Sequence, residues 1–132
     1  LIEMEISDNW VDEVGRVISD SHSWLSRIHR RVRNSDKGCS LTKEDLVLLA
    51  LGSKGRCAVT GIPFSFETYE GAKLRPFSPS IDRIRCSDGY HLDNVRLVCL
   101  VVNVSLNAWG EAVLKRVGAA MLIRDIYGDS GL

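Results

Sequence analysis

The chain has 132 residues, 45% hydrophobic and 26% charged, with 17 Lys and Arg set against 17 Asp and Glu. That length suits one domain with a core of its own, and the composition is ordinary for a soluble globular protein. No apolar run approaches the roughly 20 residues of a membrane-spanning helix, and the acidic N-terminus lacks the basic-then-apolar pattern of a secretory signal.

Zero net charge weighs mildly against a nucleic-acid partner, but the charges are unevenly placed. Acidic residues gather early, at Glu3, Glu5, Asp8, Asp12 and Glu13. Basic residues gather at Arg27, Arg30, Arg31, Arg33 and Lys37, and again at Lys73, Arg75, Arg83, Arg85 and Arg96. A neutral total can hide a basic face. The cysteines are Cys39, Cys57, Cys86 and Cys99, with no C-x-x-C pair, so a structural zinc site is not signalled.

Residues 8–33 read as one long helix with Ser7 as its N-cap. Val11, Val14, Ile18, Leu25, Ile28 and Val32 make one apolar stripe, and Trp10, Val17 and Trp24 a second. The stripes suit packing within the domain, and a heptad-like seam to a second copy is the other use, giving a homodimer through the N-terminal helix. The Ser-Asp-Ser-His-Ser run at 19–23 is a place where this helix could break. His22 and His29 are seven apart, too far for a helical metal pair. A polar connector leads to a helix capped by Thr42, with Leu46, Leu49 and Ala50 inward and Gly52 and Gly55 ending it. Cys57 to Val59 is a candidate short strand and Thr60 to Pro63 a turn. The loop beyond carries Phe64, Phe66, Tyr69 and Phe77, suited to pinning it on the core. These boundaries predict an N-terminal helical region, 1–38, followed by a main region, 39–132.

The main region centres on 79–107. Ser80 to Ile84 alternates like a strand, Cys86 to Gly89 is a turn, Val95 to Cys99 is a second strand, and a helix carrying Asn103 and Asn107 follows. A closing helix over 108–127 has Trp109, Ala112, Val113, Val117, Ala120 and Met121 on its apolar side. On a helix, Asn103 and Asn107 share a face. If that face meets the strand bearing Asp82, one carboxylate and one or two amide oxygens make a hard-oxygen site suited to Mg²⁺. Pairing with an arginine, or tying down the Asp88–Gly89 turn, is the structural use of Asp82.

The ordered set Ser80-Ile81-Asp82-Arg83-Ile84, Gly89-Tyr90, Asp93-Asn94, Val98-Cys99 and Asn103 resembles the HNH endonuclease family of phage and bacterial type. The upstream run Cys57 to Phe64 is similar to the segment that precedes its core. The resemblance covers roughly residues 41–110. It implies an α+β fold with a ββα-metal core and flanking helices. It also implies a metal-dependent DNA endonuclease, with Mg²⁺, Mn²⁺ or another divalent ion as cofactor, working in the cytoplasm of a bacterial or phage-infected cell. By position, Asp82 and Asn103 match metal ligands and Asn107 a further ligand of some members. Asn94 matches the asparagine that braces the loop.

Arg83 stands where the family has its general-base histidine. Arginine stays protonated and cannot act as a base at neutral pH. Three readings stay open. Arg83 clamps the phosphate while a base comes from elsewhere or from metal-bound water; His91 supplies the base; or the fold binds DNA without cutting it. Arg75, Arg85 and Arg96 are the expected phosphate contacts. A protein-interaction module pairing through the first helix is the reading of a different class.

Overall fold

The computed structural model describes residues 8–128. It is α+β, with five α-helices and one two-stranded antiparallel sheet among the described residues. None of these helices is long and apolar enough to cross a membrane.

The stretch expected as one long helix is two. α1 spans Asp8–Val17 and α2 spans Trp24–Arg33. Ser and Asp side chains in the intervening run compete with helical hydrogen bonds. Ser23 Oγ accepts from the Ser26 N–H and caps α2, and its hydroxyl donates to the Val17 carbonyl at 3.0 Å. The Ser26 hydroxyl donates to the Asp20 carbonyl at 2.8 Å. The break lets the chain fold back, so Trp10, Val14 and Val17 bury against Leu25, Ile28 and Val32. Val11 and Ile18, expected in the buried stripe, are exposed because the helices meet along the other side of α1. Of the heptad seam, Val14, Leu25, Ile28 and Val32 are thus used inside one chain. The expected cap, Ser7, lies outside the described residues.

α3 spans Lys43–Gly52 and starts with a reciprocal cap. The Thr42 hydroxyl accepts from the Asp45 N–H at 3.1 Å, and the Asp45 carboxylate accepts from the Thr42 N–H at 3.0 Å. Leu46 and Ala50 enter the core. Trp10 locks α1 to α3: its indole N–H donates to the Ala50 carbonyl at 2.8 Å, and its ring stacks on Trp24. The candidate strand 57–59 forms a tight turn instead, with the Gly61 N–H on the Cys57 carbonyl and the Ala58 N–H on the Leu97 carbonyl.

β1, Pro79–Arg83, pairs antiparallel with β2, Val95–Cys99, setting Ile81 opposite Leu97 and Asp82 opposite Arg96. Side chains alternate across a strand. Ile81, Val95 and Leu97 therefore join the core of α1–α3, while Val98 packs with Val102 and Leu106 of α4, Leu100–Leu106. Burial pushes the Cys99 thiol up to about 12, and Cys57 beside it adds to the rise, so this is a protonated core thiol. All four cysteines are free.

The loop between the strands is tied to the connector after α2. Tyr90 N–H donates to the Gly38 carbonyl and Ser40 N–H to the Tyr90 carbonyl. Gly89 sits in this contact, where a Cβ would lie 2.5 Å from the Lys37 carbonyl oxygen and 2.6 Å from that of Gly38. Backbone cannot swing aside as a side chain can. Gly89→Ala is expected to lower stability by about 1–3 kcal/mol through this overpacking. Urea unfolding checks it, as a lower midpoint at unchanged slope.

The closing helix begins later than expected. Asn107 and Gly110, both at positive φ, end α4 and turn the chain into α5, Glu111–Tyr127. None of the α5 residues is buried, and Leu114 alone of them packs against the core beside α4. Val117, Met121, Leu122 and Ile126 are exposed, as is Trp109 just before the helix. The expected apolar side does not face the core. The middle of α5 is apolar nearly all round, so its spacing specifies no inward face.

Candidate active site

The site begins with two backbone decisions. β1 and β2 run antiparallel, so Asp82 and Arg96 project side by side from one face of the sheet. α4 leaves β2 immediately and lies over that same face, with Val102 and Leu106 as its anchors. The result is a cleft of about 500 Å³ lined by Asp82, Arg83, Asn103 and Asn107, with Arg31 and Ser35 on the opposite wall.

Asn103 is held in one orientation. Its amide nitrogen donates to Ser80 Oγ at 2.8 Å and to the Ile81 carbonyl at 3.0 Å. The carbonyl can only accept, so this contact fixes which end of the amide is nitrogen. Asn103 Oδ1 is left without a protein partner among the described residues. Asp82 is part-buried, and its Oδ2 accepts from Arg96 Nε at 2.9 Å. Its Oδ1 likewise has no partner among the described residues. Arg96 also donates to Glu111 at 3.1 Å. Partial desolvation works against the Arg96 charge, but its hydrogen bonds to Asp82 and Glu111 outweigh this and raise its pKa above the usual arginine value.

Arg83 is pinned from two sides. Its Nη1 donates to the carbonyls of Cys86 at 2.7 Å and Asp88 at 3.0 Å, and its guanidinium lies 5.4 Å from the centre of the Tyr90 ring. Arginine has five N–H donors, and Nη1 carries two of them. Those on Nε and Nη2 have no partner among the described residues. Neither Arg83 nor Arg31 has a carboxylate partner among the described residues.

Asn94 is fully buried behind the cleft. Its Oδ1 accepts from the Arg85 N–H at 2.8 Å, and its Nδ2 donates to the carbonyls of Arg85 at 3.1 Å and Gly89 at 2.9 Å. One side chain thus closes the whole β1–β2 loop.

No family model, curated protein or solved structure matches this chain. The geometry therefore carries the functional reading.

Asp82, Arg83, Asn103 and Asn107 come together. Asn107 does so from beyond α4 rather than on the helix face, and its Oδ1 accepts from the Ala108 N–H. His91 does not line the cleft; its Nδ1 lies 2.6 Å from Ser40 Oγ. Arg85 is bound to Asp88 and Asp93, and Arg96 to Asp82 and Glu111, so neither is an uncommitted cation for phosphate. Arg75 lines a separate cleft. Sequence reasoning missed Arg31 and Ser35 as cleft walls. They belong to α2 and the connector after it, and only the broken N-terminal helix brings them to β1.

Among the described residues, no three His, Cys, Asp or Glu side chains group as a metal cage. What the cleft offers is one carboxylate oxygen and one oriented amide oxygen. That set is too sparse for a closed structural site. It fits a hard divalent ion that keeps most of its waters.

Proposed function

We propose that the chain is a metal-dependent endonuclease of HNH type, with β1, β2 and α4 as its ββα-metal core, cutting DNA at a backbone phosphate. The observation that carries this reading is the convergence in one cleft of Asp82 and Asn103 with two guanidinium groups, Arg83 and Arg31, that have no carboxylate partner among the described residues. A divalent ion held by Asp82 and Asn103 supplies Lewis-acid stabilisation of phosphate charge and lowers the pKa of water.

The chain's own residues do the rest. Arg83, fixed by two carbonyls and the Tyr90 ring, presents its remaining N–H groups to a phosphate oxygen without reorganising. Arg31 provides a second positive group across the cleft. Arg96 holds Asp82 in place through the 2.9 Å contact to its Oδ2. Asn94 fixes the loop from which Arg83 takes its own anchors. No histidine lines the cleft among the described residues, so the proton of the attacking water passes to solvent rather than to His91.

Incubation with supercoiled plasmid and Mg²⁺ or Mn²⁺ tests this. Nicking that stops on chelation is expected. Arg83→His is expected to slow nicking about 100-fold, the usual cost of removing a transition-state donor. A faster Arg83→His enzyme would mean that the natural site lacks a base.

One observation favours a second reading, a DNA-binding module that does not cut: Arg96 already occupies one of the two Asp82 oxygens. Retarded DNA in a gel with no nicking under any divalent ion would select it.

A further inference from the structure

The cleft at Asp82 has a neighbour. A second cleft, of about 680 Å³, is lined by Arg16, Arg27, Lys73 and Arg75, with Trp24 and Phe66 on its wall. Two acidic residues also line it, Glu13 and Asp20. Glu13 is occupied, accepting from Arg16 at 2.8 Å and from the Trp24 indole at 3.0 Å. Asp20 accepts from the His22 N–H at 2.9 Å. Arg27, Lys73 and Arg75 are exposed and have no carboxylate partner among the described residues. The surplus of this cleft is therefore cationic.

Three elements show how the two clefts are related. On α2, Arg27 lines the basic cleft and Arg31 lines the Asp82 cleft, one helical turn on and on the same face. Along β1, Pro79, with Ser78 just before the strand, lines the first, and Ile81 and Asp82 the second. On α4, Leu100 lines the first and Asn103 the second. Each element advances in its own direction from one cleft to the next. The offset is about 6 Å on α2 and about 10 Å on β1. That is on the order of two or three nucleotide rises of 3.4 Å.

We infer that the two clefts form one groove, and that Arg27, Lys73 and Arg75 hold the phosphates of a nucleic-acid strand whose next residues enter the Asp82–Asn103 cleft. The inference rests on the proposed nuclease reading for its direction, but the binding it describes stands or falls separately. Arg75 is the one of the three that the sequence already singles out as an expected phosphate contact. Arg27 and Lys73 join it only because α2 and the long loop before β1 meet here.

Fluorescence anisotropy with an end-labelled DNA duplex tests it, titrated across a range of salt. Arg27→Ala/Lys73→Ala/Arg75→Ala is expected to bind at least tenfold more weakly. The slope of log affinity against log salt should fall by about 3, near one for each phosphate no longer held by a cation. These side chains are exposed, so the variant keeps the wild-type melting curve. Arg33→Ala/Lys43→Ala removes two cations elsewhere and should leave affinity within about twofold. A triple variant with wild-type affinity and slope overturns the groove, even if the protein nicks plasmid. Wild type that binds through these residues but never nicks keeps the groove and overturns the nuclease. Wild type that binds no DNA at low salt overturns both.

Discussion

Asn94→Ala is expected to destabilise the protein by about 3–5 kcal/mol, the largest loss of any single polar substitution. The substitution leaves the Arg85 N–H and the Gly89 carbonyl without the partner that now satisfies them, and takes one of two donors from the Arg85 carbonyl, which keeps the Asp88 N–H. Each buried group abandoned in this way costs about 1–3 kcal/mol. Asn94→Asp keeps the shape but turns a carboxylate oxygen towards two carbonyls, so it should fare no better. Urea unfolding measures both. A loss under about 1 kcal/mol for Asn94→Ala, at unchanged slope, would mean that water replaces the amide and that the loop holds itself. The same change should loosen Arg83, whose anchors at Cys86 and Asp88 lie within the loop.

Asp82→Ala is expected to reduce nicking at least 100-fold while leaving DNA affinity within about threefold. On the proposed reading a bound metal would contribute several kcal/mol to the reaction, and this change would remove its one anionic ligand. Binding is expected to survive because Arg27, Lys73 and Arg75 lie in the adjoining cleft. A purely structural role for Asp82 predicts a different pattern, because Arg96 would then be the reason for any loss. Asp82→Asn/Arg96→Gln separates the two. It replaces the ion pair by two neutral amides that can still hydrogen-bond across the strands. Fold without nicking assigns Asp82 to the metal; recovered nicking assigns it to holding Arg96.

Much of the central unit was legible, because its signals are local. Alternation over 80–84 and 95–99 placed both strands to within a residue, and Thr42 with Asp45 marked the start of α3. Asn94 was legible only through its resemblance to a known pattern, since nothing in composition marks a buried asparagine as a brace. Arg96, expected as a phosphate contact, is paired with Asp82 and Glu111, for a physical reason. A cation in a strand looks free for phosphate until the register sets Asp82 opposite, and register depends on the loop closure that Asn94 provides. The N-terminal helix failed at Ser19 to Ser23, where the apolar spacing continues across the gap but the polar side chains favour turns. α5 failed because its middle is apolar on every side, and periodicity specifies a face only when the rest of the helix is polar.

The opposite wall of the Asp82 cleft comes from α2, far upstream of β1 in the chain. The hairpin and α4 can associate early, through neighbours close in sequence, whereas Arg31 and Ser35 arrive only once the N-terminal helices dock. That docking closes a long loop at an entropic cost. The complete lining of this cleft is consequently a property of the completed molecule. A fragment beginning at Cys39 retains Asp82, Arg83 and Asn103 but has no second wall. Brief detachment of α2 in the intact protein would likewise open the cleft without unfolding the hairpin.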